Sequence, residues 1–319
     1  SQIQSFLSRS RIYLLMNSKI QESELLKFSF KAMGSDCEFI LCLTTKSDSH
    51  SVFSSLRDEL ERLEQKYSKF RENNLLFAIN LAASKGETIQ VDEETESLLE
   101  HSLNCFNQSD GLFDITAGSL NSLWDFKKKK VPTTIEIEHA LSLTDFSRVS
   151  WGNGMLSIPM GMSIDFGGVV KEYAADSLAV LSKKLGVEYG LINLGGDIAV
   201  VGRKPDGSPW NVGITDPRNT DAEIATIEVH SGGLATSGDY KRYFVHEGKR
   251  YSHILNPKTG IPCSGLRAVS ISANLCTVAG SVATIAMLKE ESEAIAWLRE
   301  LGLPFVIMNS NSQIMKNSC

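Results

Sequence analysis

The sequence lacks the features that place a chain across a membrane, in a disulfide scaffold or on a nucleic acid. None of the apolar stretches in its 319 residues reaches the length that is needed to cross a bilayer. Its 6 cysteines are scattered and include no Cys-x-x-Cys pair, which argues against a zinc site and a disulfide framework. Its net charge of −6 gives no electrostatic reason to bind nucleic acid or an anionic membrane surface. We therefore expect neither a membrane-spanning segment nor a nucleic-acid partner.

A recognisable export signal is also missing. The apolar run 12–16 is too short for the core of a signal peptide, and no small-residue cleavage site follows it. Cys37, Cys42 and Cys276 lie among apolar residues and are predicted to be small core residues. A reducing compartment is the simpler expectation for such cysteines, and we therefore expect a cytoplasmic location.

The composition is that of an ordinary globular protein. Hydrophobic residues make up 42% and charged residues 22% of the chain, so a substantial core can form without cross-links. No internal repeat and no low-complexity linker divides the sequence, which favours one domain or two closely packed lobes. The one basic run, 127–130, precedes a Val-Pro turn and is predicted to be a solvated loop rather than a binding patch.

Helical and strand patterns mix along the chain without a regular βαβ alternation. Helices are predicted at 51–67, 171–185, 278–288 and 292–301. Strands are predicted at 37–43, 198–201, 210–214, 224–229, 243–245, 250–255 and, as the closing strand, 304–308. Gly152-Asn153-Gly154 lies between two short apolar runs and predicts a β-hairpin. Together these patterns predict an α+β fold, with mixed sheets flanked by helices.

Four glycine-punctuated segments combine backbone freedom with polar side chains, and they are 164–173, 193–197, 235–240 and 251–260. In the first, Asp165 ends a strand and Lys171 begins a helix after two glycines. Free amides at a helix start beside a lysine suit a pyrophosphate. The spacing matches neither the Rossmann nor the P-loop pattern, so a structural Gly-Gly turn explains it equally well.

The other three segments also have structural explanations. Asp197 is expected to cap its own tight loop. Thr236 and Ser237 beside a glycine suit a phosphate or ribose, but they serve equally well in a turn. His253 lies near a strand end before a Pro-containing turn, where a general base is well presented. Composition alone favours a structural histidine at this position.

The order of these segments and several further blocks is more informative than any one of them. The further blocks are 32–34 (Ala-Met-Gly), 68–71 (Ser-Lys-Phe-Arg), 111–116, 120–126 and 278–284. In this order they resemble the signature blocks of the FAD:protein FMN transferase (ApbE) family, from about Phe30 to Met308. The resemblance implies a single ApbE-like domain at 30–309, preceded by an extension at 1–29 and followed by a tail at 310–319.

The resemblance also implies an activity. Family members bind FAD and, with Mg²⁺, move FMN onto a threonine or serine hydroxyl of a target flavoprotein, and AMP leaves. The expected ligands and partners are therefore FAD, Mg²⁺ and an acceptor flavoprotein with a Ser/Thr flavinylation motif, Asp-x-x-(Ser/Thr)-Gly-Ala-(Ser/Thr). The residue that matches the general base toward the acceptor hydroxyl is His253.

Residues that match the FAD contacts of the family are Met33, Phe70, Leu112, Phe113, Asp114, Asp165, Lys171, Asp176 and Ile254. The first five are expected along the flavin, although a place in the core is the alternative for the apolar ones. Asp165 and Lys171 are expected at the nucleotide, and Asp176 near its adenosine end. Ile254 is expected to contact FAD through its backbone.

The sequence departs from the family pattern at the implied Mg²⁺ site. The family ligands correspond to the backbone carbonyl of Gly168 and, four residues apart, an aspartate and a threonine. The threonine is Thr284, but the aspartate position is Gly280, and the usual Lys-Gly step reads Lys171-Glu172. We hypothesise that Glu172 restores negative charge at the metal. The alternative is a carboxylate at a helix start, stabilised by the helix dipole, with no metal role.

Two other functions compete with the transferase. In an FAD pyrophosphatase, water replaces the acceptor, and FMN and AMP are released. A non-catalytic FAD-binding protein would have kept the cleft and lost the metal. Gly280 favours this last function, whereas His253, Thr284 and Asp165 argue against it. We favour the transferase, with the binding protein second.

Overall fold

The computed structural model of the chain describes residues 8–10, 24–43, 48–240 and 243–317. The apolar run 12–16 and most of the predicted extension 1–29 lie outside these residues. The α-helices of the described part are α1 Ser49–Tyr67, α2 Leu75–Lys85, α3 Glu93–Gln108, α4 Gly118–Leu123, α5 Thr134–Ser142, α6 Val170–Lys184, α7 Cys276–Leu288 and α8 Glu291–Leu301.

The strands are β1 Ser8–Ser10, β2 Glu24–Ala32, β3 Ser35–Leu43, β4 Ile89–Gln90, β5 Ser150–Gly152, β6 Met155–Ser157, β7 Val187–Leu194, β8 Asp197–Val200, β9 Trp210–Asp216, β10 Asn219–Val229, β11 Gly233–Gly238, β12 Tyr243–His246, β13 Lys249–Ser252, β14 Ala268–Ala273, β15 Phe305–Met308 and β16 Ile314–Asn317. Nine of them form the main sheet, in the order β1-β2-β3-β7-β8-β11-β14-β15-β16. Each neighbouring pair in that sheet is antiparallel. The predicted α+β class is confirmed.

Side chains of each strand in the sheet alternate between two faces that are covered differently. In β8, Ile198 and Val200 pack with residues of the β9–β10 hairpin in one apolar cluster. Ala199, between them, belongs to the larger core, to which α1, α3, α6 and α7 contribute. Because side chains alternate along a strand, Asp197 lies on the same helix-covered face as Ala199. The first residue of β8 therefore faces the helices.

A third apolar cluster lies around the β12–β13 hairpin. It contains Leu120 and Trp124 from α4 and its end, Phe244 from β12, and Leu255. The rings of Phe244 and Tyr251 stack with centroids 5.2 Å apart. This cluster supports the chain segment that follows β13, in which His253 lies.

Several local predictions are confirmed with small changes of boundary. Helices α1, α6, α7 and α8 form where helical periodicity predicts them, and α6 is followed by Gly186 at a φ of 87°. The predicted hairpin turn has Asn153 at φ 52° and Gly154 at φ 75°, a left-handed conformation that suits these two residue types. The cysteines predicted to be in the core are buried. The basic run 127–130 is exposed.

Other predictions need correction. Helices α2, α3, α4 and α5 had not been predicted, and the predicted strand 250–255 ends at Ser252. The segment 304–308 is not the closing strand, because β16 follows β15 and pairs with it. The main sheet includes residues on both sides of the predicted domain 30–309, from Glu24 in β2 to Asn317 in β16, and the domain boundaries stay a prediction. No helix in the part of the chain that the structure describes is long and apolar enough to cross a membrane.

Candidate active site

The approach to α6 is fixed around Asp165. Its backbone N–H donates to the carbonyl of Ile115 over 2.8 Å, and the side chain of Asn80 holds the preceding residue through two hydrogen bonds. One carboxylate oxygen of Asp165 accepts a hydrogen bond of 2.8 Å from the N–H of Gly167. The other accepts from the ammonium of Lys69 at 2.7 Å. The structure thus gives Asp165 a cationic neighbour that the sequence analysis did not assign to it.

Gly168 lies exposed just before α6. A Cβ at this position would meet no described atom within 4 Å, so there is open space beside the backbone. Among the hydrogen bonds of the described residues, none ends on the carbonyl oxygen of Gly168. The position predicted to offer a backbone oxygen to a cation is therefore accessible.

Lys171, in the first turn of α6, forms a partly buried ion pair with Asp197 of β8. The ammonium nitrogen lies 2.7 Å from Asp197 Oδ2, and the Asp197 side chain is only 4% exposed. Burial alone would lower the pKa of Lys171, but the charge of Asp197 more than offsets this and raises the pKa above its usual value. The sequence predicts that Asp197 caps its own loop and does not indicate the ion pair with Lys171. Within that loop, Asn193 Oδ1 accepts a hydrogen bond of 2.8 Å from Gly196 N.

Glu172, the next residue, is buried against Gly280 of α7. A Cβ on Gly280 would lie 2.5 Å from Glu172 Cγ and 2.7 Å from Glu172 Oε1, so the carboxyl group fills the space that a side chain at 280 would need. Within the described structure, Oε2 of Glu172 is buried and has no hydrogen-bond partner. Burial and then the charge of Asp197 raise the pKa of Glu172 well above the usual range of a glutamate.

Thr284 lies one helical turn after Gly280, on the same face of α7. Its hydroxyl is 3.1 Å from the hydroxyl of Ser237 in β11. The neighbouring Thr236 hydroxyl bonds instead to that of Ser270, at 2.8 Å. The third glycine segment therefore contributes Ser237 to the surroundings of Thr284, a contact that its sequence did not indicate.

Asp176 links α6 to the start of α7. Its Oδ1 accepts from the N–H of Cys276 at 2.9 Å, and its Oδ2 accepts from the N–H and the hydroxyl of Thr277 at 2.9 Å and 2.7 Å. A carboxylate that accepts hydrogen bonds from the first amides of a helix acts as its cap and complements its dipole. Asp176 thus holds together the two helices that carry Glu172 and Gly280.

Met33 lies in the turn between β2 and β3. It has a φ of 48°, which is unusual for a residue with a side chain, and its N–H donates to Glu64 Oε2 over 3.2 Å. The turn borders a cavity of about 370 Å³ that is also lined by Arg57 and Arg71. This volume is at the lower end of those of small-molecule sites.

The other residues predicted along the flavin have different surroundings. Phe70 is 85% exposed, with the ammonium of Lys69 5.6 Å from its ring centroid. Phe113 is only 4% exposed and packs in the main core, and Leu112 is partly buried. Asp114 accepts hydrogen bonds from the N–H and hydroxyl of Thr116 and from a further backbone N–H, and burial raises its pKa. The side chains of Phe113 and Asp114 therefore have structural roles.

His253 and Ile254 follow β13 in the segment supported by the third apolar cluster. His253 is partly buried, and the carbonyl of Ile254 accepts from Cys263 N at 2.8 Å. The same segment is anchored by the indole N–H of Trp124, which donates to Gly260 O over 2.9 Å. It is also tied to the loop before Leu112 by an ion pair of 2.7 Å between Lys258 and Asp110.

Most of the predicted residues thus fall into two groups. Around the first turn of α6 the structure brings together the group Asp165, Gly168, Lys171 and Glu172, with Gly280 in contact and Thr284 one turn further along α7. His253 and Ile254 form the second group with the loop 110–114, to which the Lys258–Asp110 ion pair connects them. Lys69, Asp197 and Ser237 are the neighbours that the sequence analysis did not connect to these groups.

Comparison with known proteins gives consistent matches over most of the chain. The sequence model of the ApbE family matches residues 33–307. The chain is 31% identical over 271 residues to the FAD:protein FMN transferase of Treponema pallidum, a match that covers 79% of this chain and 75% of that relative. It is 28% identical over 271 residues to the FAD:protein FMN transferase of Vibrio cholerae, covering 82% of this chain and 80% of the relative.

Solved structures give the same result for the fold. The crystal structure of the ApbE protein from Thermotoga maritima superposes with a TM-score of 0.83 at 30% identity, covering 91% of this chain and 96% of that one. The flavinyl transferase ApbE of Pseudomonas stutzeri superposes with a TM-score of 0.82 at 26% identity, covering 93% and 95%. The architecture described above is therefore shared with these proteins.

Proposed function

The chain belongs to the ApbE family, and from this premise we propose that it is an FAD:protein FMN transferase. As such, it is an enzyme that binds FAD and transfers FMN to a target flavoprotein, the activity after which its relatives are named. The observation that carries the proposal is the first turn of α6, where an accessible glycine backbone, a charged lysine and a carboxylate meet. A helix start with these groups suits a substrate that carries a pyrophosphate.

In this proposal FAD is bound from two sides. Lys171, which Asp197 keeps charged and oriented, attracts the pyrophosphate at the positive end of the α6 dipole. Met33 and Phe70 contact the flavin, where the exposed ring of Phe70 offers a stacking surface. Leu112 completes the flavin wall. Because their side chains are engaged elsewhere, Phe113, Asp114 and Ile254 contribute through their backbone, and Asp176 acts near the adenosine end as the cap of α7.

The oxygen atoms that α6, α7 and the residues just before α6 offer suit a Mg²⁺ ion, although they are few. Mg²⁺ prefers hard oxygen ligands and keeps several water molecules. The proposed ligands are the carbonyl of Gly168, the hydroxyl of Thr284 and the carboxylate of Glu172, whose Oε2 is buried without a partner among the described residues. The described residues contain no group of three or more His, Cys, Asp or Glu side chains that could hold a metal. The carboxylate of Glu172 would therefore be the single negatively charged protein ligand of the proposed ion. When bound, Mg²⁺ neutralises negative charge on the pyrophosphate.

His253 is the proposed general base. It takes the proton from the acceptor serine or threonine hydroxyl as that oxygen forms its bond to the FMN phosphorus. The bond between this phosphorus and the bridging oxygen breaks, and AMP leaves. The Trp124 hydrogen bond anchors the His253 segment to the end of α4, and the exposed Lys258–Asp110 ion pair connects it to the loop that precedes Leu112. A base positioned in this way supplies proton transfer, which typically contributes ~10²–10⁴-fold to rate.

The proposal is tested by the intact mass of an acceptor protein that contains the Asp-x-x-(Ser/Thr)-Gly-Ala-(Ser/Thr) motif, after incubation with this chain, FAD and Mg²⁺. AMP is followed in parallel. We expect a mass gain of one FMN moiety (FMN less one water) and an equal amount of AMP. His253→Ala should lower the rate by at least about 100-fold with FAD binding retained, whereas His139→Ala, at an exposed position of α5, should have no effect.

Other outcomes of this experiment point to the alternatives. AMP without a mass gain, with several acceptors, would indicate an FAD pyrophosphatase. Bound FAD without either product would indicate a non-catalytic FAD-binding protein. The cytoplasmic location stays a prediction, which fractionation of cells that produce the chain would test.

A further inference from the structure

The contact between α6 and α7 depends on the absence of a side chain at position 280. A Cβ there would lie 2.5 Å from Glu172 Cγ, 2.7 Å from Oε1 and 2.9 Å from Cδ, distances that real Cβ atoms essentially never show. The neighbouring atoms are Cγ, Cδ and Oε1 of Glu172, a side chain that is itself only 8% exposed. A side chain at position 280 would therefore require the buried side chain of Glu172 to move.

The buried carboxyl group of Glu172 has an incomplete set of hydrogen-bond partners. Oε2 has no hydrogen-bond partner within the described structure, and the adjacent ammonium of Lys171 is paired with Asp197 at 2.7 Å. Removing a carboxylate from water without a partner is costly. An unpartnered buried polar atom in a native structure requires an explanation, of which an ion is one.

Hydroxyl oxygens lie on the same side of α7. Thr284 is four residues after Gly280 and therefore lies on the same helix face. Its hydroxyl is held by that of Ser237 at 3.1 Å, on a strand of the main sheet. The carboxyl group of Glu172 and the hydroxyl of Thr284 are thus carried by α6 and α7, whose relative position is fixed by the Asp176 cap, and oxygen groups of this kind suit a small hard cation.

We propose that Glu172 supplies the carboxylate of this cation site from α6, and that Gly280 on α7 is the space that this carboxylate needs. Residues 172 and 280 then act as a reciprocal pair, in which one position carries a carboxylate and the other carries no side chain. The identity of the cation as Mg²⁺ rests on the proposed function. The pairing itself rests on the contacts above.

The first test removes the charge and keeps the shape. In Glu172→Gln the side chain keeps its volume beside Gly280, so the thermal midpoint should be unchanged or higher. The affinity for Mg²⁺, measured by calorimetric titration of the protein–FAD complex, should fall by more than about tenfold. Glu300→Gln, at an exposed position of α8, is the matched control and should bind Mg²⁺ as the wild-type chain does.

The second test exchanges the two positions. Gly280→Asp alone places a side chain in the volume of Glu172 and should lower the thermal midpoint. Glu172→Gly alone should fold but lose Mg²⁺ affinity. The double variant Glu172→Gly/Gly280→Asp carries the carboxylate on the other helix, and it should bind Mg²⁺ at least about tenfold more tightly than Glu172→Gly. Electron paramagnetic resonance of bound Mn²⁺ gives the number of sites without reference to activity.

The inference is overturned if Glu172→Gln binds Mg²⁺ with wild-type affinity, because Glu172 is then only a space-filling group. It is also overturned if the folded double variant binds no better than Glu172→Gly. These results are independent of FMN transfer. A wild-type chain that transfers no FMN, but loses Mg²⁺ affinity in Glu172→Gln, would contradict the proposed function and leave the pair intact.

Discussion

Two phenylalanines that are predicted to lie along the flavin have opposite surroundings. Phe113 is packed in the main core, whereas Phe70 has most of its ring in solvent next to Lys69. A single exposed aromatic ring does not contribute to the core, and its removal has little effect on folding. At the scale of single residues, ligand binding and stability can therefore be separated at Phe70 and not at Phe113.

We expect Phe70→Ala to leave the free energy of unfolding within about 0.5 kcal/mol of the wild-type value. It should weaken FAD binding about fivefold, since an aromatic stacking contact contributes about 1 kcal/mol. Phe113→Ala, as the contrasting variant, should lower the free energy of unfolding by about 3–5 kcal/mol. Urea denaturation and titration of flavin fluorescence measure the two quantities. Unchanged FAD affinity in Phe70→Ala would remove this residue from the flavin site.

At the scale of elements, one network of polar side chains joins α6 to α3 and α1. The hydroxyl of Tyr173 donates to Glu94 of α3 over 3.1 Å. Glu94 in turn pairs with Arg62 at 2.7 Å and with Lys66 at 2.6 Å, both on α1. Burial by itself would raise the pKa of Glu94, but the hydrogen bonds from Arg62 and Lys66 lower it to about 2. Three helices therefore share one carboxylate, which must be ionised for the network to form.

This network predicts a loss of stability in acid. The folded-state pKa of Glu94 lies below its ordinary value of 4.5, so its stabilisation is present above about pH 4.5 and is lost as the pH falls toward 2. We expect Glu94→Gln to lose about 1–2 kcal/mol at pH 7, after allowance for solvent screening, and to show a shallower fall of the thermal midpoint between pH 5 and pH 3. Glu93→Gln, at the exposed start of α3, should keep the wild-type slope. Parallel curves for wild type and Glu94→Gln would contradict the assignment.

At the scale of the whole molecule, one antiparallel sheet lies between the main core and the apolar cluster of the β9–β10 hairpin. Helices cover one face, and the β9–β10 hairpin covers the other. At one side of the sheet β16 pairs with β15, and Met315 packs against the main core. The last strand is therefore part of the folded unit, although the predicted domain ends at 309.

Removal of residues 310–319 should consequently destabilise the protein. The deletion exposes the backbone of β15, a wholly buried strand, and opens a new sheet edge that is prone to aggregation. We expect a loss on the order of 2–4 kcal/mol from the strand pairing and the burial of Met315. Differential scanning calorimetry of the shortened chain measures it, with a chain that ends at Asn317 as the control. A wild-type midpoint in the chain that ends at Asn309 would support the predicted boundary instead.

Local patterns were enough to predict part of the fold. The helix that follows Gly168, the hairpin turn at Asn153 and the burial of Cys276 depend on periodicity, turn chemistry and residue type, which neighbouring residues determine. Helices α2 and α3 were not predicted from the sequence. The start of α3 is marked in the sequence by Asp92 as the N-cap and by acidic residues in the first turn, whereas the apolar positions that pack into the core are clear only once the core is known.

The family can be identified from the sequence, because the order of the blocks along the chain does not depend on their spatial arrangement. The partners within the site are visible only in the folded structure. Asp197 pairs with Lys171 because β8 turns its first side chain toward α6, and Glu172 meets Gly280 because α6 and α7 pack on the same face of the sheet. Such contacts join residues that are distant in the chain, and local periodicity carries no information about them. A glycine can serve as a flexible link, or it can leave room for a neighbouring side chain. The residues that pack against it decide between these two roles.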